Sequence, residues 1–193
     1  MIRYGTNAPK YAELIWVNPK NINYIIINDS YFVSLIRSGW VTNINRFYIF
    51  KNFHDTDAKK ACFAHWIDDV PWENTKDYQT GLEIIRSGKP FKDFRTEEEL
   101  RNRFKKLDNI FKEVKRDMRL KTGKELNVKA YREEGGIMVG IGANCEPLLL
   151  EGYHRLSIAL ILDLPIIPAQ LGCVDIDAIG SLERYRLPPK IES

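Results

Sequence analysis

The sequence predicts an α/β fold of the α+β kind, a small mixed sheet interrupted by a helical insertion. Three observations carry this. Residues 148–168 read as an apolar strand, a sharp Glu151-Gly152 turn, a helix and a second apolar run after Pro165. From about residue 55 to 121 the apolar residues recur at helical spacing behind recognisable caps. Short strand-like runs lie on either side of that stretch. With 193 residues, a single domain over 1–193 is expected. Its sheet core is placed at 13–22 and 125–175, with the insertion at about 55–121.

Taken in order, Glu13-Leu-Ile-Trp-Val-Asn-Pro19 reads as a short strand ending at Asn18-Pro19. Proline removes a ladder donor and favours an extended residue before it. Residues 23–53 carry three apolar runs, Ile25–Ile27, Tyr31–Ile36 and Ser38–Trp40, whose order the pattern does not fix. Asp55 or Asp57 is expected to cap a helix through Trp66. Thr75 caps a second, with Tyr78, Leu82 and Ile85 on one face and Gly88 as the stop. Thr96-Glu-Glu-Glu99 is a capping box. Behind it Leu100, Phe104, Leu107, Phe111, Val114 and Met118 form one apolar stripe, and Gly123 follows.

The final third returns to strands. Ile137–Ile141 and Pro147–Leu150 flank Gly142-Ala-Asn-Cys-Glu146, a hairpin turn. A helix from about Tyr153 to Asp163 is expected to bury Leu156, Ala159, Leu160 and Leu162 or nearby positions, until Pro165 breaks it. Ile166–Leu171 is a strand placed near an edge, because Pro168 cannot donate. The tail with Pro188-Pro189 is expected to be loosely held.

Bulk properties narrow the function classes. A 44% hydrophobic content supports a core, and the formal charge of +3 tolerates a nucleic-acid partner without arguing for one. No apolar run approaches the roughly 18 residues of a membrane span, and the opening residues show no signal-peptide pattern. Cys62, Cys145 and Cys173 are widely spaced and odd in number, which fits a reducing cytoplasm. Cys62-Phe-Ala-His65 with His54 is a poor zinc candidate, since a fourth ligand is missing. Gly135–Gly142 lacks the Lys-Ser/Thr of a phosphate loop. Basic residues between Arg95 and Lys124 are interleaved with acids and read as a solvated helix face.

The chemistry gathers at Glu151-Gly-Tyr-His-Arg155. A helix N-terminus offers N–H groups and partial positive charge, which suit an anion. Gly152 lets backbone approach a phosphate, or only permits a tight turn. Arg155 can grip phosphate in two places, or form a surface ion pair. His154 can donate to phosphate or move a proton, or be structural. Glu151 can hold Mg²⁺ or accept a hydroxyl proton, or only balance the helix dipole. Ser157 in the first turn and Lys20 after the first strand are further contact candidates, and Tyr153 can stack on a base or join the core.

The series strand–Glu–Gly–x–His–Arg–Leu–x–x–Ala, then Leu-x-Leu and Ile-Pro, resembles the central motif of the ParB/sulfiredoxin-like fold family. Ile15–Ile22 is similar to that family's opening strand and turn. Trp40, Pro71–Thr75 and the 96–118 helix look similar to an insertion in phage and microbial relatives. The resemblance implies a cytoplasmic enzyme binding ATP or ADP with Mg²⁺. The phosphates would sit on the Gly152–Arg155 turn, with Gly152, Tyr153, His154, Arg155, Ser157 and Lys20 contacting the nucleotide, Glu151 and His154 catalytic and Glu151 also serving the metal. The implied reaction is phosphotransfer to a small-molecule acceptor, as in a kinase, or phosphohydrolysis. Nucleic-acid binding, nuclease activity or a non-catalytic accessory role are the alternatives, and no membrane partner is expected. Sulfiredoxin chemistry is disfavoured, because Tyr153 stands where that branch has its cysteine. Serine-kinase chemistry lacks its carboxylate after the first strand, where this chain has Asn18-Pro-Lys20 and, upstream, Glu13. DNA partitioning would need a helix-turn-helix region, for which few residues follow Leu171.

Overall fold

The computed structural model describes residues 4–27, 38–44, 49–126 and 136–187. Expectations for Tyr31–Ile36 and for Pro188-Pro189 lie outside the described residues. The chain is mixed α/β, as the sequence predicts. It divides into two compact units, one formed by residues 54–118 and the other by the stretches on either side, 1–53 and 119–193.

The flanking unit is built on a seven-stranded sheet: β1 (Leu14–Val17), β2 (Tyr24–Ile27), β3 (Val41–Thr42), β4 (Ile49–Asn52), β5 (Met138–Ile141), β6 (Pro147–Glu151) and β7 (Ile167–Asp175). The order is β1-β7-β5-β6-β2-β4, with β3 also on β7. Pairings β1–β7, β2–β4 and β5–β6 are antiparallel, while β2–β6, β3–β7 and β5–β7 are parallel. The consecutive strands β1 and β2 therefore lie on opposite sides of the β7-β5-β6 centre.

β5 and β6 form the expected hairpin. Gly142 N–H donates to Glu146 C=O and Cys145 N–H to Gly142 C=O, both at 2.9 Å. β7 departs from expectation. It is longer than the 166–171 run and lies inside the sheet, not at an edge. The alternation of its donors explains how Pro168 is tolerated. Leu171 N–H donates toward β1, to Glu13 C=O, and Gln170 N–H toward β5, to Ile137 C=O. Pro168 shares the side of Gln170 but precedes this first rung, so the ladder to β5 begins beyond it.

α4 (Tyr153–Ile161) follows β6; α1 to α3 belong to the other unit and are described below. It ends earlier than Pro165 requires. Asp163 adopts φ 53°, Asp163 N–H donates to Leu160 C=O and Leu164 N–H to Ala159 C=O, a Schellman ending on a non-glycine. α4 buries His154, Leu156, Ser157, Ile158 and Ala159. Leu160 and Leu162 are only half-buried, because the covered stripe lies one position round from the expected one. The core beneath the sheet includes Ile26, Ile44, Met138, Leu148, Leu150 and Cys173. A long 3-10 helix, Ile176–Tyr185, closes the unit; it is N-capped by Asp175, whose carboxylate accepts Asp177 N–H at 3.0 Å. The same buried carboxylate accepts Ile44 N–H at 2.7 Å.

The 54–118 unit holds three helices: α1 (Asp57–Ile67), α2 (Lys76–Arg86) and α3 (Glu97–Asp117). α1 is capped by Thr56, whose Oγ1 accepts Lys59 N–H at 3.3 Å, and not by either neighbouring aspartate. Thr75 is the N-cap residue of α2 and its C=O accepts Gln79 N–H at 3.0 Å, but its hydroxyl donates to Trp72 C=O at 2.7 Å and makes no side-chain cap. α2 stops as expected, with Gly88 at φ 81° and the paired bonds Gly88 N–H to Ile85 C=O and Lys89 N–H to Ile84 C=O. α3 carries the full capping box of Thr96 and Glu99. Met118 leaves the stripe: it takes the left-handed position that ends the helix and is 55% exposed. Among the described residues no helix is long and apolar enough to cross a membrane.

Candidate functional site

β6 ends at Glu151 and α4 begins at Tyr153, so one residue turns the chain. Gly152 does this at φ 97°, ψ 31°, a left-handed conformation that costs an L-residue roughly 1–2 kcal/mol. A Cβ there would lie 2.9 Å from both the Gly136 carbonyl oxygen and Ile137 Cα. Those are backbone atoms and cannot rotate aside. Glycine is thus required twice, by angle and by space. Its carbonyl accepts Leu156 N–H at 2.9 Å, the first bond of α4. Gly152 provides no side-chain cap, and the exposed Glu151 stands immediately before the positive helix end.

The next three residues divide in burial. Tyr153 is half-buried, with its ring 6.4 Å from the buried Phe53 at an interplanar angle of 44°, within the range of a favourable aromatic pair. Burial, and then the nearby charge of Glu151, push its phenol pKa up, so it stays protonated. Its ring belongs to the wall of the core. His154 is turned inward and only 6% exposed. Arg155 is half-buried.

Two expected contacts are not brought to the turn. Ser157 is fully buried and its hydroxyl donates to Tyr153 C=O at 2.9 Å, a bond inside the helix that uses its proton. Lys20 reaches the opposite end of α4. Its Nζ lies 2.6 Å from Asp163 Oδ1, and at about 1.5 Å of rise per residue Asp163 is roughly 15 Å along from Tyr153. Its backbone N–H is held by Asn18 Oδ1 at 2.9 Å. Glu151, Gly152, Tyr153, His154 and Arg155 therefore form the turn, with His154 facing inward, and Ser157 and Lys20 lie outside it.

Glu13, the carboxylate nearest the first strand, is also committed elsewhere. Its Oε1 lies 2.6 Å from Arg186 Nε and its Oε2 accepts Lys10 N–H at 2.8 Å, with the Glu13 side chain only 9% exposed. Arg186 also donates to Thr6 C=O, Ala8 C=O and Glu183. This clamp holds the N-terminal segment and has no local sequence signal, since its partners are more than 170 residues apart in the chain.

Among the described residues no group of three His, Cys, Asp or Glu side chains could hold a metal ion. A divalent ion at Glu151 would depend on phosphate oxygens for its other ligands, which suits Mg²⁺. The Cys62/His65 pair is not a metal site. Cys62 is fully buried. His65 Nδ1 lies 2.7 Å from Val70 C=O and Nε2 lies 3.0 Å from Asp108 Oδ1. That same Asp108 oxygen accepts the indole N–H groups of Trp66 at 3.1 Å and Trp72 at 3.0 Å. Asp108 sits four residues after Phe104 and three before Phe111, so a carboxylate inside the apolar stripe was the readable signal for this cluster.

No protein-family model, curated protein or solved structure matches the chain.

Proposed function

We propose that the protein binds ATP or ADP with Mg²⁺ through the Gly152–Arg155 turn and transfers or hydrolyses a phosphate. The observation that carries this reading is the left-handed Gly152. It brings β6 straight into α4 with no side-chain cap on the first turn, and Glu151 and Arg155 come just before and just after it in the chain. Backbone N–H groups and helix dipole then favour an anion, and Arg155 supplies the bidentate fork. The resemblance of Glu151-Gly-Tyr-His-Arg155 to the ParB/sulfiredoxin-like motif supports the choice of a nucleotide over a lone anion.

In this reading Glu151 takes the proton of an incoming hydroxyl, from water or a small-molecule acceptor, or orients the metal. Mg²⁺, when bound, would neutralise charge on the transferring phosphate. His154 orders the turn from inside, and Tyr153 fixes it against Phe53. Calorimetry with Mg-ATP and Mg-ADP tests the reading. Wild type binds; Arg155→Ala loses at least tenfold in affinity; Arg155→Lys, which keeps charge but not the fork, falls between. Absence of binding by wild type, or equal binding by Arg155→Ala, refutes it.

A second reading, nucleic-acid binding, is favoured by one observation. Arg101, Lys105, Lys112 and Arg116 are exposed on α3 at spacings of 4, 7 and 4, which is one face of a helix. Arg116 is paired with Asp117 at 2.7 Å and Arg101 lies near Glu97, so Lys105 and Lys112 are the cations offered to phosphates. Binding to mixed-sequence DNA or RNA that weakens steeply with salt would support it.

A further inference from the structure

A second site lies away from the turn and shares no residue with it. A cleft of about 670 Å³ is lined in part by Trp16 of β1, Asn21 and Asn23 before β2, Glu146 of the β5–β6 turn, and Arg184 and Tyr185 of the 3-10 helix. Its floor is fixed. Arg184 Nη2 and Tyr185 Oη both donate to Cys145 C=O, at 2.5 and 2.6 Å. The guanidinium also lies 4.9 Å from the Tyr185 ring centroid. The size falls within the usual range for small-molecule sites.

Asn21 and Asn23 line this space and are exposed. The side-chain amides of Asn21 and Asn23 and the Trp16 indole N–H have no hydrogen bond among the described residues. Glu146 folds its carboxylate over Gly142, where a Cβ would meet Oε1 at 2.5 Å. Glu146 Oε2 is buried without any hydrogen-bond partner. An unpartnered buried acceptor is costly, and a carboxylate more so.

The lining selects a ligand class. Each amide both donates and accepts, and so does a hydroxyl. Glu146 and Arg184 carry opposite charges, so the lining is electrically balanced. A bound phosphate would meet the Glu146 charge as well as that of Arg184, which disfavours a charged nucleotide here. Trp16 and Tyr185 supply aromatic area suited to the C–H face of a saturated ring. We infer that this cleft binds a neutral polyhydroxylated ring, a sugar, with Asn21, Asn23 and Glu146 reading its hydroxyls and Trp16 packing on its apolar face. It is independent of nucleotide binding at Gly152.

Trp16 makes the site self-reporting. A panel of methyl glycosides of common hexoses, N-acetylhexosamines and ribose is titrated at millimolar concentration into the full chain, read by tryptophan emission and by saturation-transfer NMR. At least one sugar gives saturable binding. Trp16→Phe abolishes the emission change. Asn23→Leu weakens binding at least tenfold with an unchanged thermal midpoint, and Glu146→Gln weakens it at least tenfold. Gly142→Ala, which displaces the carboxylate without removing it, weakens binding as well. Arg155→Ala leaves sugar binding intact, which separates this site from the turn. The inference is overturned if no glycoside saturates, if the Asn23 and Glu146 replacements leave affinity unchanged, or if ATP competes for the cleft in the Arg155→Ala variant.

Discussion

Replacing Gly152 by alanine tests the turn more sharply than any other change. The substitution adds one methyl group and no charge. At φ 97° the left-handed backbone costs an L-residue roughly 1–2 kcal/mol. The new Cβ would sit 2.9 Å from Gly136 O and Ile137 Cα, and overpacking of that kind adds roughly 1–3 kcal/mol. The sum is about 2–5 kcal/mol, a large part of the roughly 5–15 kcal/mol that stabilises a typical domain. Urea unfolding measures it directly, and Gly152→Asn separates the two terms, since asparagine tolerates the left-handed region better than alanine yet carries the same Cβ. The asparagine variant should recover part of the backbone term and none of the steric term. Mg-ATP calorimetry on the folded fraction then reads the function. If the turn is a phosphate cradle, affinity falls in both variants. A stability loss under about 1 kcal/mol for alanine would refute the account of this turn, because neither strain nor crowding would then be present.

Four other outcomes follow from the same geometry. Asp108→Leu strands the indole N–H groups of Trp66 and Trp72, which share one oxygen, and removes the partner of His65 Nε2. At roughly 1.5–3 kcal/mol per bond to a charged group, discounted for a half-exposed carboxylate and shared geometry, a loss of about 3 kcal/mol is expected in thermal unfolding, with a change in tryptophan emission. Arg186→Met leaves Glu13 with the Lys10 N–H as its remaining partner, costing about 1.5–3 kcal/mol, whereas the double change with Glu13→Leu recovers part of it; a double-mutant cycle in urea reads this. Burial pushes the Cys173 thiol up to about 12, and Cys62 is buried while Cys145 is half-buried, so a thiol reagent at neutral pH should modify Cys145 first and the other two only on unfolding. Arg119 and the Thr122 N–H and hydroxyl hold Glu125 at about 2. A lowered carboxylate stabilises above its unfolded value near about 4.3 and loses that contribution as pH falls through its folded value; carboxyl NMR should place its midpoint near about 2, rising in Arg119→Ala.

What was legible in the sequence was local. The α3 capping box, the Gly88 stop and the β5–β6 turn each depend on residues within a few positions, and each forms as the pattern requires. The α1 cap was misplaced because Asp55, Thr56 and Asp57 are three adjacent cap formers, and only backbone geometry chooses among them. Sheet order was not legible, because β1 and β2 are neighbours in sequence but lie on opposite sides of β7, β5 and β6. Pro168 misled for the same reason. A proline forbids one rung on one side, and the rung it would break lies before β5 starts.

The turn itself shows where sequence reasoning about a site has to stop. Glu151 through Arg155 could be recognised as a helix-end anion motif from five adjacent letters. Which of the five face a ligand depends on the helix phase relative to the sheet. That phase buries His154 and Ser157 together, three positions apart on one stripe, and so removes Ser157 from any phosphate contact. Lys20 is placed by a different constraint: the Pro19–Asn21 turn after β1 brings it to Asp163, past the far end of the same helix. The cleft near Glu146 is the converse case. It has no motif, because its residues come from β1, the segment before β2, the β5–β6 turn and the 3-10 helix after β7, and only folding brings them together. Its lining of Trp16, Asn21, Asn23, Glu146, Arg184 and Tyr185 has no sequence signature. A run of adjacent residues can therefore suggest a site from sequence alone, while one assembled from four distant segments cannot be suggested before the fold is known.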